Sequence, residues 1–380
     1  MSPFEDPNVG LLPSGFIDLL QHEAEAEARG IETVMEVFGA HGYERVRPPL
    51  CEFEASLLLG SGEALTEQTF RLMDPDSRRM MALRPDMTTQ IARIAATRLA
   101  DRPRPLRLSY TGTCVVLGTP GREGERQITQ AGIELIGVDS ALADAEVVLI
   151  AAEALSRLEI AHVSFDLSCP ALAQAVIDAA GLPSAGRAQL AHAVDRKDAA
   201  AVAALGGHMA PVLTALLDAA GPAATALRAL GTIDLPSEAR RHAERLTAVA
   251  HAIADAAPDL RVTVDPVEFR GWQYHTGVCM TVFARGVREE LGRGGRYLAH
   301  ASEPACGLTL RPEALLRAAR PIALRKRVYV PHGLSAARAQ ALRAEGFATV
   351  AGFAPVADPA SEARRLDCLY VASHNDLTRL

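Results

Sequence analysis

The apolar residues Ile17, Leu20, Ala24, Ala28, Ile31, Met35 and Phe38 recur at three- and four-residue steps, a spacing that predicts one helix from Ser14 to about Gly39. Gly42 ends it. Tyr43 to Leu50 reads as extended and closes on Pro48-Pro49, because proline bars the residue before it from the α region. Thr69 to Leu83 has the pattern of a hairpin turning at Asp74-Pro75-Asp76-Ser77, and a helix follows from about Thr88 to Ala100. Alternation at period two marks two strands, Leu106 to Leu117 and Arg126 to Gly137, on either side of the loop Gly118 to Gly124. Ala141 to Leu158 is helical in pattern, and His162 to Ser168 alternates as a strand.

The texture changes at Cys169. From there to about Pro258 the chain is rich in alanine and poor in β-branched runs, which predicts a helical insertion over residues 169–258. Strand patterns resume at Arg261 to Val264 and Thr276 to Ala284, and the cluster Gly292-Arg293-Gly294-Gly295 reads as glycines before a tight sheet turn. Arg325 to Leu380 has a β-α-β-α-β pattern, with strands at Arg327 to Val330, Phe347 to Gly352 and Cys368 to Val371. Hairpins with helices segregated around them give an α+β class: an antiparallel sheet flanked by helices over residues 1–320, then a small α/β unit over 321–380.

Composition narrows the functions. No stretch approaches the roughly 20 apolar residues that cross a bilayer, and Met1 to Gly10 has neither a basic nor an apolar leader segment, so the expected location is the cytoplasm, with no membrane partner. The net charge is −7, Lys197 and Lys326 are the only lysines, and aromatics make up 4% of the chain. That balance does not suggest the basic, stacking surface of a nucleic-acid binder. Six cysteines stand without C-x-x-C spacing and eleven histidines without ligand spacing, so neither a disulfide framework nor a metal site is expected.

Candidate chemistry begins in the strand Arg126 to Gly137. Ile128, Gln130, Gly132, Glu134 and Ile136 share one face, with Gln130 and Glu134 about 13 Å apart along it. Two polar groups on an apolar face, with glycine between them, suit an elongated zwitterion; a sheet with a solvated face would look the same. Arg84-Pro85-Asp86-Met87-Thr88-Thr89, where strand meets helix, fits a ligand loop and also ordinary helix capping. Phe269 to Gly277 carries Arg270, Tyr274 and His275, which could position a carboxylate or simply pack a turn. The glycines at 292–295 lack the spacing of a phosphate loop.

The order of these segments is more specific than any one of them. Gly42-Tyr43-Glu44-Arg45-Val46-Arg47-Pro48-Pro49-Leu50 resembles motif 1 of the class II aminoacyl-tRNA synthetases, Tyr110 to Gly137 resembles motif 2, and Gly307 to Leu316 resembles motif 3. Leu83 to Thr88, Phe269 to Gly277 and Gly294 to Tyr297 resemble elements specific to histidyl-tRNA synthetases. The resemblance spans roughly residues 10–320 and implies a class II synthetase-like core. It further implies that Asp86, Thr88 and Gln130 hold an amino group, Glu134 an imidazole and Arg270 a carboxylate, with Tyr274, His275 and Tyr297 completing the wall.

The departures are as informative. Val116 stands where the synthetases carry the motif 2 arginine that grips the α-phosphate, Gly118 replaces a nearby ATP-contacting glutamate, and Ala314 falls where motif 3 carries the γ-phosphate arginine. Attack on ATP depends on such clamps. A retained amino-acid pocket beside a decayed ATP site is the pattern of the synthetase-like regulatory subunits of ATP phosphoribosyltransferase. By that resemblance the chain has no catalytic residue, cofactor or tRNA. It binds free L-histidine, dimerises through the motif 1 face, joins a short-form catalytic subunit and confers histidine feedback inhibition on the first step of histidine biosynthesis. The rival implications are an active histidyl-tRNA synthetase and a histidine-binding regulator of another partner.

Overall fold

The computed structural model describes residues 10–58, 65–117, 125–268, 275–320 and 324–380. Two compact units divide the chain, Met1–Arg320 and Pro321–Leu380.

The first unit is organised by a nine-stranded sheet whose middle is antiparallel. Leu106–Val115 pairs with Gln127–Ile136, which pairs with Pro304–Leu310, then Gly292–Leu298, His275–Ala284 and Val163–Ser168, all antiparallel. The margins depart from a purely antiparallel sheet: Glu44–Arg45 joins Leu106–Val115 in parallel, and Arg261–Asp265 joins Val163–Ser168 in parallel. A parallel neighbour requires a crossover, and helices supply it at both edges.

Alternation sorts the sheet's two faces. On one face, Ala131, Ile133 and Leu135 bury against the helices Gln21–Ala40 and Ala141–Arg157 in a large apolar core that also takes in Leu246, Val249 and Ile253 of Ser237–Ala256. The other face carries a smaller core, in which Met87, Ile91 and Ala95 of the segment leading through helix Thr88–Thr97 meet Leu106, Leu108 and Ile136. A three-stranded sheet of Cys51–Phe53, Arg71–Met73 and Met80–Leu83 stands beside it, its hairpin turning where Asp74 accepts from the amides of Asp76 and Ser77.

The first helix starts later than its spacing predicts. It begins at Gln21, behind an extended Leu20, while Ile17 and Leu20 are 71% and 73% exposed. Helical spacing there finds no surface to bury against, so it does not hold a helix. The glycine cluster is a second difference: Gly292–Leu298 is an interior strand of the sheet, not a turn. Between Val163–Ser168 and Arg261–Asp265 the chain forms a run of helices from Pro170–Ala179 to Ser237–Ala256, interrupted by the two-residue strand Gly221–Pro222.

Behind the Gly292–Leu298 strand lies an ionic knot. Asp144 is fully buried and accepts from Arg296 at 2.9 Å and from Arg245 at 3.0 Å, while Arg296 also donates to the Val138 carbonyl. Two guanidiniums thus answer a carboxylate that burial would otherwise leave without a partner.

The Pro321–Leu380 unit is a small open sheet in the order Ala348–Ala351, Arg327–Val330, Tyr370–Ala372, Leu377–Arg379, parallel except for the last strand. Ala336–Ala344 and Pro359–Arg365 make its crossovers.

Candidate functional site

The site lies on the sheet face away from the large core. Glu134 sits at its centre with 1% exposure. Pairing puts Glu134 opposite Gly307, and Gly307 opposite Gly295. Neither glycine has room for more: a Cβ at Gly307 would fall on the Glu134 carboxylate, and one at Gly295 would lie 2.6 Å from the His275 ring. Gly132 is the third such gap, since a Cβ there would meet the Tyr110 hydroxyl at 2.5 Å. The floor of the site is therefore backbone. Larger side chains from neighbouring rows lie across it.

Two phenols hold the carboxylate. Tyr110 donates to Glu134 Oε1 at 3.1 Å and Tyr297 donates to Oε2 at 2.9 Å. Burial nevertheless pushes the Glu134 carboxyl up to about 7; the Tyr297 hydrogen bond opposes the rise, the charge of Asp86 adds to it, and Thr88 and Tyr110 pull it back. Burial, with the Glu134 charge second, also drives the Tyr110 phenol well above its ordinary range, so it stays protonated and able to donate. Near neutral pH the Glu134 carboxyl is poised between an acceptor and a neutral acid.

The other end is built around Gln130. Its Nε2 donates to Asp86 Oδ2 at 2.8 Å and its Oε1 accepts from the Met87 amide at 3.0 Å. The remaining oxygen of Asp86 accepts from the Thr88 amide at 2.8 Å, so Asp86 both serves the start of helix Thr88–Thr97 and holds Gln130. The N-cap position is Met87, which has no side-chain cap, so Asp86 makes a turn contact just ahead of the helix and holds Gln130 with the same side chain. Thr88 closes the circuit, its hydroxyl 3.4 Å from that of Tyr110. Arg84 anchors the loop from below, donating to the carbonyls of Thr113 at 2.8 Å and Pro48 at 3.0 Å.

Of the residues singled out in the sequence, Asp86, Thr88, Gln130, Glu134 and Tyr297 fall into this one network, and His275 stands in register with Tyr297 at its edge. Burial and the neighbouring Arg293 bring the His275 imidazole down to about 3, so it is neutral. Arg270, Tyr274 and Gly118 lie outside the described residues. Two members were not singled out: Tyr110, and Thr309, whose hydroxyl is 2.8 Å from that of Tyr110. Period two marks Tyr110 as pointing to one face of its strand. Which face is the pocket depends on a pairing that the sequence does not state.

The positions read as lost nucleotide clamps are apolar and closed. Val116 is 3% exposed and hydrogen-bonded by its amide to the Arg126 carbonyl, and Ala314 is 1% exposed in helix Pro312–Ala318, packed into the large core. Arg311, two residues past Thr309 on the sheet face, is engaged by Glu290, which also accepts from Arg293 at 2.6 Å.

A connected polar network set on an antiparallel sheet, together with ordered synthetase motifs, points to a domain of the histidyl-tRNA synthetase class, and residues 15–315 match the family model described as Histidyl-tRNA synthetase. The fold agrees with solved structures: an ATP phosphoribosyltransferase regulatory subunit/histidyl-tRNA synthetase from Bacillus halodurans superposes with a TM-score of 0.82 at 23% identity, over 94% of this chain and 97% of that one. A histidyl-tRNA synthetase from Nostoc gives 0.77 at 18% identity, over 95% and 90%. Within that class the chain belongs to the family of ATP phosphoribosyltransferase regulatory subunits. It is 63% identical to the member from Gluconobacter oxydans over 97% of this chain and 96% of the relative, and 52% identical to that from Paramagnetospirillum magneticum over 96% of each.

Proposed function

We propose that this chain works without catalysis of its own, as the regulatory partner of a short-form catalytic subunit of ATP phosphoribosyltransferase. On this reading it reports to that subunit whether free L-histidine occupies the Glu134 pocket. The observation that carries the reading is the contrast between the polar cradle and the two positions where nucleotide clamps would stand. Glu134, Tyr110, Tyr297, Gln130 and Asp86 form a connected polar cradle, while Val116 and Ala314 put buried hydrocarbon where phosphate clamps would have to stand.

In the cradle the imidazole lies against Glu134 and the α-amino group against Asp86, Thr88 and Gln130, with Arg270 on the carboxylate side and Tyr274, His275 and Tyr297 as wall. The chain forms a homodimer through the segment Gly42 to Leu50, and the catalytic subunit joins that dimer. Occupancy alters catalysis only if histidine prefers the less active state; a tenfold preference corresponds to about 1.4 kcal/mol per site.

Steady-state assays of the catalytic subunit, with and without this chain and across a histidine titration, test the proposal. The expected result is co-purification, raised activity, and inhibition by histidine that appears only with both chains present. A catalytic subunit that is fully active alone, with a histidine response unchanged by this chain, would overturn the assignment of partner.

A further inference from the structure

We propose that Thr309 is a positioning residue for Glu134: its hydroxyl donates to the Tyr110 oxygen and so aims the single phenolic hydrogen at the carboxylate that receives the ligand. The inference rests on reading Glu134 as the acceptor for a ligand N–H, and goes beyond that reading by asking what keeps Glu134 an acceptor.

Three groups surround the Tyr110 hydroxyl: Thr309 Oγ1 at 2.8 Å, Glu134 Oε1 at 3.1 Å and Thr88 Oγ1 at 3.4 Å. A phenol carries one hydrogen and an ionised carboxylate carries none. When Glu134 is charged, the hydrogen of Tyr110 must go to it, and the short contact to Thr309 is made only if Thr309 donates. The chain then runs one way, from Thr309 to Tyr110 to Glu134, and each donation polarises the next. If Glu134 takes up a proton the chain can reverse, with Glu134 Oε1 donating to Tyr110 and Tyr110 to Thr309, and the carboxyl that should meet the ligand has lost its charge. Thr309 therefore biases the site toward its accepting form. Its strand position makes this possible: pairing sets Thr309 opposite Gly132 on one side and Arg293 on the other, and the bare Gly132 lets Tyr110 reach across to it.

The charged and titratable groups about the carboxyl come from several elements. Tyr110 and Tyr297 donate to it from two strands, and the Asp86 charge acts on it from the loop before helix Thr88–Thr97. Cys306 on the adjoining strand feels its charge, and His275 lies beyond Gly295. Thr309 is distinctive among the residues of this chain of donations because it touches Tyr110 without touching Glu134 in any hydrogen bond the structure shows.

The test is calorimetric titration of L-histidine into the full-length wild type, Thr309→Val and Thr309→Ser, from pH 6 to pH 9. A parallel carbon NMR titration follows the ¹³C-labelled glutamate carboxyls of the ligand-free proteins, with Glu134→Gln assigning the signal. Valine keeps the shape and removes the donor; serine keeps the donor. Losing one neutral hydrogen bond should raise the Glu134 midpoint by about half a unit to one unit. Relative to wild type, the valine variant should therefore bind histidine roughly threefold to tenfold more weakly at pH 6 and nearly equally at pH 9. The ligand's own imidazole titrates in every case and cancels in the ratio. Serine should restore the wild-type profile.

A loss in Thr309→Val that is the same at every pH, or a serine variant that behaves like valine, would show that only packing was disturbed and would overturn the proposal. If no protein binds histidine while the ligand-free carboxyl still shifts in valine and not in serine, the hydrogen-bond chain stands and the histidine reading falls.

Discussion

Replacing Glu134 by glutamine separates what this carboxyl does for the fold from what it does for the ligand. The folded-state pKa of about 7 lies above the ordinary value of 4.5, so between those two pH values the folded protein holds more proton than the unfolded chain. Stability attributable to Glu134 is therefore complete below about 4.5 and is lost as pH rises through 7. At about 1.4 kcal/mol per unit, the interval corresponds to an upper figure of about 3 kcal/mol by pH 8. Glutamine carries no charge to desolvate, and its amide can still meet one phenol as acceptor and the other as donor. The ligand-free variant should match or trail the wild type near pH 4.5 and exceed it by about 1–3 kcal/mol at pH 8, as read by urea unfolding across that range. Histidine binding should move the opposite way, falling about tenfold to a hundredfold in the variant because a charged acceptor for the imidazole N–H is gone. Parallel stability curves for the two proteins from pH 5 to pH 8 would refute the placement of an ionisable carboxyl in this buried setting. Unchanged calorimetric binding would place the ligand elsewhere.

Three further outcomes follow from the same geometry. Gly307→Ala puts a methyl group onto the Glu134 carboxylate, so histidine affinity should drop at least about tenfold; normal calorimetric affinity with native circular dichroism would contradict the bare floor. Asp144→Ala removes the buried partner of Arg296 and Arg245, leaving them only the exposed Asp139 as a counter-charge, and should lower unfolding free energy by about 2–4 kcal/mol in denaturant melts; a change within about 1 kcal/mol would mean that the knot contributes little. Histidine-dependent exchange of pyrophosphate into ATP should stay at background, because Val116 and Ala314 offer no cation; robust exchange by protein free of contaminating synthetase would restore the enzyme reading.

Much of this was legible before any coordinates, and the exceptions share a cause. The alternation from Arg126 to Gly137 places Gln130 and Glu134 on one face, and the strand Gln127–Ile136 has that face. Local periodicity suffices there because both residues belong to one strand. It fails where the deciding neighbour is remote. Ile17 and Leu20 have helical spacing, yet no packing surface reaches them. The glycines at 292–295 look like turn residues until the strand Pro304–Leu310 is set beside them, whereupon a side chain at Gly294 would strike the Gly307 carbonyl. Tyr110 and Thr309 are 199 residues apart and meet through two strand pairings. The resemblance to synthetase motifs implied Glu134 and Tyr297 as separate contacts with a ligand; the structure joins the two side chains to each other by a hydrogen bond.

Arg296 and Tyr297 are chain neighbours on a strand and so leave it on opposite sides. Tyr297 reaches Glu134, whereas Arg296 reaches Asp144, to which Arg245 of the long helix Ser237–Ala256 is also tied. One peptide unit thus passes from the Glu134 hydrogen-bond network to an ion cluster fastened to the helices. Seen from the Ser237–Ala256 helix, Tyr297 is the far end of its own anchor, and a ligand that drew in Tyr297, as proposed, would pull against a point fixed among helices that Tyr297 does not touch.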